Sequence, residues 1–330
     1  MNTAVSPENT PRIALACCSD AGYAPHATAM LFSAVSSTPE ARFALYYLQD
    51  PDFPETLRAQ ITQAMQRFGT RAELHFVTVP DSLVQGLPLF EFMKPGAMRP
   101  VMWYRVFLPQ LLPQEARVLY LDCDTLVVKS LTSLWQTALD GQPLAAVSNP
   151  FSAGYARNGK SWPANCGLAR DEDYFNSGVM LLNLDYFRAN DITHRVIEHG
   201  VANAGWTRFG DQDSLVVVLH GARVPLHPRY NLMRTIISTG ASRAVFGPAV
   251  VSEAIADPAI LHFEGTIKPW NDPTQHPFGR LYTRVARQLP WPVRDASFGL
   301  MDVDNFLIRR DWVPLLRAFR RLLRLVGIKR

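Results

Sequence analysis

Short apolar runs alternate with amphipathic segments over the first part of the chain. The runs at 13–18, 43–48 and 74–79 have the length and composition of buried strands. Residues 26–36 and 55–68 carry apolar side chains at helical spacing. This alternation predicts an α/β fold in which helices flank a mainly parallel, Rossmann-like central sheet.

The apolar run at 117–128 is interrupted by two aspartates, Asp122 and Asp124. The pattern predicts a buried central strand that delivers both carboxylates to its carboxyl end, where open α/β sheets bind their ligands. Alternate side chains of an extended segment share a face. Asp122 and Asp124 can therefore converge while Cys123 points away into packing.

Two neighbouring carboxylates at a buried strand end are costly unless their charge is compensated. A divalent cation is the simplest compensation. Mg²⁺ and Mn²⁺ prefer oxygen ligands, and in proteins they commonly bridge the phosphates of a substrate. A strand-end turn with two solvated aspartates is the alternative that this stretch alone leaves open.

The pattern beyond residue 100 continues the alternation, and we find no internal repeat. The predicted elements are helices at 101–111 and 131–139, strands at 144–147 and 260–262, a helix beginning at Asp211, and loops at 80–100 and 149–173. Residues 174–184 form a further apolar run after a polar Asn-Ser-Gly step.

Polar residues stand near the ends of several of these elements. They are Asp20, Arg105, Asn176, Asp211, Gln212, Asp213, His262 and Lys268. Each has an ordinary structural alternative, such as a helix cap for Asp20 or Asp211 and a buried core histidine for His262. No Gly-rich phosphate loop of the Walker or dinucleotide type is present, which argues against ATP and NAD.

Composition limits the class of protein. The 330 residues suffice for one large α/β domain or two smaller ones. The four cysteines form no CxxC pair, which is typical of reduced thiols in the cytoplasm. The N-terminal sequence lacks the pattern of a signal peptide, and no apolar run has the length of a membrane span.

The basic charge belongs to the C-terminal segment. Residues 309–330 hold eight basic residues against one acid, and this +7 leaves −3 on the other 308 residues of a chain whose total is +4. The body of the protein therefore does not have the charge of a nucleic-acid-binding surface, and we expect no nucleic-acid partner.

An amphipathic helix is predicted within 309–330. Its apolar face holds Trp312, Leu315, Leu316, Phe319, Leu322, Leu323 and Val326, and its basic face holds Arg317, Arg320, Arg321 and Arg324. This pattern favours an interfacial helix on anionic lipid. The alternative is a helix packed on the domain with a solvated basic face.

Four segments together resemble a known family. Their sequences are LYLDCDTLV, YFNSGVMLLNL, GDQDSLVVVL and LHFEGTIKPW. In order and spacing they are similar to the family-8 retaining glycosyltransferases, especially bacterial lipopolysaccharide glucosyl- and galactosyltransferases. The resemblance covers roughly residues 12–290 and implies a GT-A fold. We therefore expect a catalytic domain over 1–290, and the amphipathic pattern described above predicts a membrane-associating helical tail over 291–330.

The resemblance also implies roles for individual residues. Asp122, Asp124 and His262 correspond to a Mn²⁺ site, with Mg²⁺ as the second choice. It assigns Asp20 and Tyr23 to the uracil of a UDP-sugar donor and Arg105 to the sugar and diphosphate. The Asp122-Cys123-Asp124 motif also belongs to the donor site, with His262, Gly265 and Lys268 at the pyrophosphate. Asn149, Asn176 and Asp211 are assigned to the sugar hydroxyls, and Gln212 lies on the reaction face.

The implied reaction transfers glucose or galactose from a UDP-sugar to a glycan or lipid-linked acceptor with retention of configuration. We favour attack from the leaving-group face, because an amide such as Gln212 is a poor nucleophile, and we keep Asp213 as the candidate for a covalent adduct. The expected location is the cytoplasm, peripheral on the inner face of the cytoplasmic membrane.

Two alternatives accompany this interpretation. LDCDTLV also resembles the motif of haloacid-dehalogenase-type phosphotransferases, although the glycine of that motif is missing and HFEGTIKPW is left unexplained. The second alternative is a non-catalytic, membrane-attached protein that binds UDP-sugars through the same residues.

Overall fold

The computed structural model describes residues 10–88, 100–150, 166–168, 173–205 and 207–293. The predicted helix within 309–330 and most of the predicted loop at 149–173 lie outside these residues. Within the described part of the chain, every helix is too short or too polar to cross a membrane.

Within the described residues, ten strands form two sheets. Their bounds are β1 Arg12–Cys18, β2 Arg42–Gln49, β3 Ala72–Thr78, β4 Arg117–Leu121, β5 Thr125–Val127, β6 Leu144–Ser148, β7 Phe175–Asn183, β8 Val224–Pro225, β9 Leu232–Met233 and β10 Ile260–His262. The larger sheet has the order β3-β2-β1-β4-β7-β6-β8, and the smaller has the order β5-β10-β9.

The larger sheet confirms the predicted architecture. Strands β3, β2, β1 and β4 run parallel to one another, and β8 runs parallel to β6. Strands β1, β2 and β4 are buried along almost their whole length, which explains their continuous apolar sequences. Strand β7 is antiparallel to both β4 and β6, a direction that its apolar sequence did not indicate.

The chain changes sheets at the two aspartates. Strand β4 ends at Leu121, and β5 begins at Thr125 in the smaller sheet, so the run at 117–128 is two strands and not one. Strand β10 pairs antiparallel with β5 and sets His262 opposite Thr125. This register brings His262 next to Asp124 although they lie far apart in sequence.

Helices surround the sheets. The α-helices are Ala24–Ser37, Glu55–Gln66, Asp81–Val84, Leu108–Leu111, Thr132–Trp135, Leu184–Ala189, Ile192–Ala202, Asp211–Leu219, Arg234–Ser238, Gly240–Phe246, Pro248–Ala256 and Gly279–Ala286, and the 3₁₀ helices are Ala21–Tyr23, Gly69–Arg71, Pro100–Phe107, Pro228–Asn231 and Pro273–Gln275. The helix predicted at 101–111 is thus mainly 3₁₀, and the one predicted at 131–139 is a single turn.

The chain divides into two compact units, Met1–His262 and Phe263–Arg330. In the second unit Phe263 packs edge-on against His276, with ring centroids 4.7 Å apart, and against Tyr282. The division predicted at residue 290 stays a prediction.

Candidate active site

Polar residues from several strands meet at one edge of the larger sheet. The chain leaves the parallel strands β1 and β4 at this edge. Strand β7 starts there, because it is antiparallel to β4, and β6 ends beside its start. The topology therefore gathers Asp20, Asp122, Asp124, Asn149 and Asn176 at that edge.

Asp122, Asp124 and His262 form a candidate metal site. One ligand atom from each lies within 4.8 Å of the other two. Nε2 of His262 is 3.2 Å from Oδ1 of Asp124 and 3.9 Å from Oδ2 of Asp122. Two carboxylates and one imidazole suit Mn²⁺ better than Mg²⁺, which prefers oxygen ligands alone.

Gly178 makes room for this site. A Cβ atom at this position would lie 2.4 Å from His262 Cε1 and 2.6 Å from Asp122 Oδ2. Only a residue without a side chain therefore allows the imidazole and the carboxylate to approach each other over β7. A glycine inside a buried strand is the kind of signal that marks such close approach, although the sequence analysis did not single it out.

Arg105 is the buried cation beside the two aspartates. Its guanidinium lies 2.9 Å from Asp122 Oδ1 through NH1 and 2.9 Å from Asp211 Oδ2 through Nε. Burial alone would lower the pKa of Arg105, but Asp122 and Asp211 outweigh it and hold that pKa above its usual value. Arg105 stays charged and joins the central strand to the helix Asp211–Leu219.

The oxygen Oδ1 of Asp122 is held on a second side by Tyr120, whose hydroxyl donates to it at 2.8 Å. The guanidinium of Arg105 lies over the Tyr120 ring, 4.7 Å from its centroid. The Tyr120 oxygen also contacts Cys18 Sγ at 3.0 Å, and burial raises the pKa of the Cys18 thiol to about 12. The thiol therefore keeps its proton and donates to Tyr120.

Asp211 is buried at the start of its helix. The Nε–H of Arg105 donates to the Met102 carbonyl at 3.1 Å. Because this N–H group points at Met102, the contact between Arg105 Nε and Asp211 Oδ2 is an ion pair and not a hydrogen bond. Within the described residues, Oδ2 of Asp211 has no hydrogen-bond donor. Burial raises the pKa of Asp211 to about 7, against the opposing effect of Arg105.

The charges of these groups favour a divalent cation. Asp122, Asp124 and Asp211 carry three formal negative charges, and Arg105 supplies one positive charge. The four groups therefore sum to −2 when all three carboxylates are ionised. A divalent cation between Asp122, Asp124 and His262 would balance that sum.

Buried amides connect this site to the helix Asp211–Leu219. Asn176 Nδ2 donates to Gln212 Oε1 at 3.1 Å, and Asn231 Nδ2 donates to Asn176 Oδ1 at 2.8 Å. Asn231 Oδ1 lies 2.9 Å from His262 Nδ1. The sequence around Asn231 does not indicate this role, because a single polar residue at the end of a short 3₁₀ helix has no distinguishing pattern.

Asp213 is enclosed by hydrogen bonds. Its Oδ1 accepts from the Tyr174 hydroxyl at 2.5 Å, and its Oδ2 accepts from the backbone N–H groups of Arg208 and Phe209 at 2.5 and 2.9 Å. Asp213 is completely buried. These contacts fix the turn that leads into the helix Asp211–Leu219.

The other predicted residues of the first unit lie near the ends of β1, β4 and β6. Asp20 caps the 3₁₀ helix Ala21–Tyr23, because its Oδ1 accepts from the backbone N–H of Tyr23 at 2.9 Å. Asn149 is buried, and its N–H donates to the Tyr174 carbonyl at 2.8 Å. Cys123 is half-buried, and burial raises the pKa of its thiol.

Gly265 and Lys268 belong to the second unit, Phe263–Arg330. Gly265 has a backbone φ of +80°, a conformation that favours glycine. The Lys268 ammonium donates to the Phe263 carbonyl at 2.8 Å and lies 5.6 Å from the centroid of a Trp270 ring. The turn is thus closed by its own lysine.

The chain is similar to several known proteins. The family model described as glycosyl transferase family 8 matches residues 14–274. General stress protein A of Bacillus subtilis (strain 168) is 27% identical over 83% of this chain and 93% of its own length. The lipopolysaccharide 1,2-glucosyltransferase of Escherichia coli (strain K12) is 27% identical over 58% of this chain, which spans 55% of that relative.

A solved structure gives the same fold. The galactosyltransferase LgtC, in complex with donor and acceptor sugar analogues, superposes with a TM-score of 0.71 at 25% identity, over 85% of this chain and 97% of LgtC. The expected GT-A fold is thereby confirmed. The family match covers most of the chain, and the chain therefore belongs to glycosyl transferase family 8.

Proposed function

We propose that the protein transfers a hexose, glucose or galactose, from a UDP-sugar to a glycan or lipid-linked acceptor of the lipopolysaccharide type, with retention and with Mn²⁺ as cofactor. The observation that carries this proposal is the cluster of Asp122, Asp124 and His262 beside the buried Arg105. A nucleoside diphosphate needs a cation site of this kind, and a sugar needs buried polar groups next to it.

The donor would lie along the edge where the strands end. Asp20 and Tyr23 would contact the uracil, with Tyr23 stacking on the base, and the Asp122-Cys123-Asp124 turn would face the diphosphate. Arg105, Asn149, Asn176, Asp211 and Gln212 would contact the sugar. Gly265 and Lys268 would bind the pyrophosphate. The buried Asp211 Oδ2 supports its role, since a sugar hydroxyl would supply the hydrogen bond that it lacks among the described residues.

Asp122, Asp124 and His262 would hold the Mn²⁺, and their donor set and the space left by Gly178 fit such an ion. When bound, the ion would stabilise negative charge on the departing diphosphate. Lys268 would stabilise the same charge through its ammonium group.

We propose attack from the face that the diphosphate leaves. The bond between the anomeric carbon and the phosphate oxygen breaks, the acceptor hydroxyl bonds to that carbon, and its proton passes to the released phosphate oxygen. The Gln212 carbonyl supports this choice, because it already accepts from Asn176 Nδ2 and from Ser177 N–H at 3.0 Å. Both oxygens of Asp213 also accept hydrogen bonds, which disfavours Asp213 as a nucleophile.

The acceptor would be reached at the inner face of the cytoplasmic membrane. We propose that residues 309–330 bind anionic lipid there, since this segment carries the basic charge of the chain. The name of the Escherichia coli relative, a lipopolysaccharide glucosyltransferase, supports a lipid-linked acceptor. Deleting 309–330 should abolish binding to anionic liposomes while hydrolysis of the UDP-sugar continues. Unchanged liposome binding would refute this role.

A donor screen tests the reaction. The purified full-length chain with Mn²⁺ should release UDP from UDP-glucose or UDP-galactose, and the Asp124→Asn variant should release it far more slowly. Binding of UDP-sugars without release would support the non-catalytic alternative. A sugar trapped on Asp213 in a kinetically competent step would overturn same-face attack, and an aspartyl-phosphate would revive the phosphotransferase alternative.

A further inference from the structure

One continuous row of hydrogen bonds runs from His262 to Asp213. It passes through buried side chains only, in the order His262, Asn231, Asn176, Gln212, Tyr174 and Asp213. At each step the earlier residue donates and the later one accepts. A row with one direction is strengthened by mutual polarisation of its members.

Two backbone amides fix this direction. Gly178 N–H donates to Asn176 Oδ1 at 3.0 Å, and Ser177 N–H donates to Gln212 Oε1 at 3.0 Å. Both side-chain oxygens are therefore acceptors at known positions. Asn231 can approach Asn176 Oδ1 only with its NH₂ group, and consequently it turns its oxygen towards His262.

The orientation of Asn231 determines which nitrogen of His262 carries the proton. An amide oxygen only accepts hydrogen bonds, so Nδ1 of His262 must be the protonated nitrogen. A histidine whose Nδ1 is protonated can bind a metal ion only through Nε2, and Nε2 is the atom 3.2 Å from Asp124 Oδ1. This is the form of histidine that binds a metal ion.

We propose that Asn231 is a positioning residue, which holds His262 in the Nδ1-protonated form and couples the candidate metal site to Gln212 through Asn176. The part that concerns metal rests on the proposed function. Asparagine is required because its side chain accepts from His262 and donates to Asn176 at the same time. Aspartate keeps the first contact and loses the second, whereas leucine loses both.

The two substitutions therefore separate the two contacts. Asn231→Leu should weaken Mn²⁺ binding by roughly 10- to 100-fold, measured by electron paramagnetic resonance on the full-length protein without nucleotide. Asn231→Asp should bind Mn²⁺ within about threefold of wild type and lower kcat roughly tenfold with little change in the donor KM. Asn183→Ala is the matched control, because Asn183 caps a helix at the opposite end of β7.

A second readout needs neither metal nor activity. Nitrogen NMR of the ¹⁵N-histidine-labelled, metal-free protein should report a proton on Nδ1 of His262 in wild type, Asn231→Asp and Asn183→Ala. Asn231→Leu should lose that preference. The His262→Gln variant assigns the signal. If Asn231→Leu does not fold, the Mn²⁺ affinity and the kcat of Asn231→Asp test the proposal.

Wild-type Mn²⁺ affinity and an unchanged His262 signal in Asn231→Leu would overturn the proposal. A tenfold loss of Mn²⁺ affinity in Asn231→Asp would overturn it as well. If wild type itself fails to bind Mn²⁺, the metal site of the proposed function fails, and the NMR signal still decides whether Asn231 sets the form of His262.

Discussion

The guanidinium of Arg105 lies beside the Oδ1 oxygen of Asp122. The guanidinium lies 2.9 Å from Asp122 Oδ1, whereas Oδ2 is the oxygen recorded near the imidazole of His262, at 3.9 Å from Nε2. Asp122 therefore offers one oxygen to the buried arginine and the other to the candidate metal site. Because Arg105 also contacts Asp211, its positive charge lies beside both the candidate metal site and the proposed sugar site.

Replacing Arg105 with lysine should destabilise the protein by roughly 2–3 kcal/mol, the cost of losing charge-assisted contacts that an ammonium cannot duplicate. The guanidinium contacts Asp122 and the Ser177 carbonyl through Nη1 and Asp211 through Nε, and one ammonium nitrogen cannot reach all three positions. Urea unfolding measures the loss. Arg58→Lys, whose partner Glu55 is exposed, is the control and should cost less than about 1 kcal/mol. Equal losses of unfolding free energy in both variants would contradict the role of Arg105 as a buried charge that these contacts hold.

Replacing Asp124 with asparagine should reduce the rate of UDP release by roughly 10²- to 10³-fold, because the site loses charge that holds the cation near the leaving group. The melting temperature should be unchanged or higher. The substitution removes one negative charge from Asp122, Asp124, Asp211 and Arg105, whose charges sum to −2 when all three carboxylates are ionised. Asp52→Asn, on the exposed surface, is the control. A fully active Asp124→Asn enzyme would remove Asp124 from the site.

Gly178→Ala tests the space at the metal site. The added methyl group would meet His262 and Asp122 below 3 Å, so the ligands must separate, and we expect Mn²⁺ affinity to fall at least tenfold. Gly240→Ala is the matched control, because its Cβ would meet no atom within 4 Å. Gly240 lies in a helix, so this substitution should raise the free energy of unfolding by up to about 1 kcal/mol. Normal metal affinity in Gly178→Ala would show that the site tolerates the methyl group.

Local pattern predicted some of this site and could not predict the rest. Asp122 and Asp124 were found because an apolar strand ends at them. His262 was assigned through the resemblance, since only the pairing of β10 with β5 brings it to Asp124. Asn231 was missed, because its importance depends on two partners that are distant in sequence.

The fold shows the same limit. Apolar runs identified the buried strands β1, β2 and β4, because burial on both faces leaves a continuous apolar sequence. The same kind of run in β7 contained no information about direction, since an antiparallel strand in the middle of a covered sheet is equally apolar.

The pH dependence of stability tests the environment of Asp211. Burial raises the pKa of this carboxyl from 3.8 to about 7. Between these values the folded protein keeps a proton that the unfolded chain releases, so stability should fall as pH rises and level off above about pH 7. Asp211→Asn lacks this group, and the stability of wild type relative to the variant should drop by up to about 4 kcal/mol across the window. Urea unfolding of both proteins from about pH 4.5 to about pH 8 measures the difference. A difference that grows with pH would mean that Arg105 lowers the pKa of Asp211 instead, and the carboxylate would then be ionised throughout.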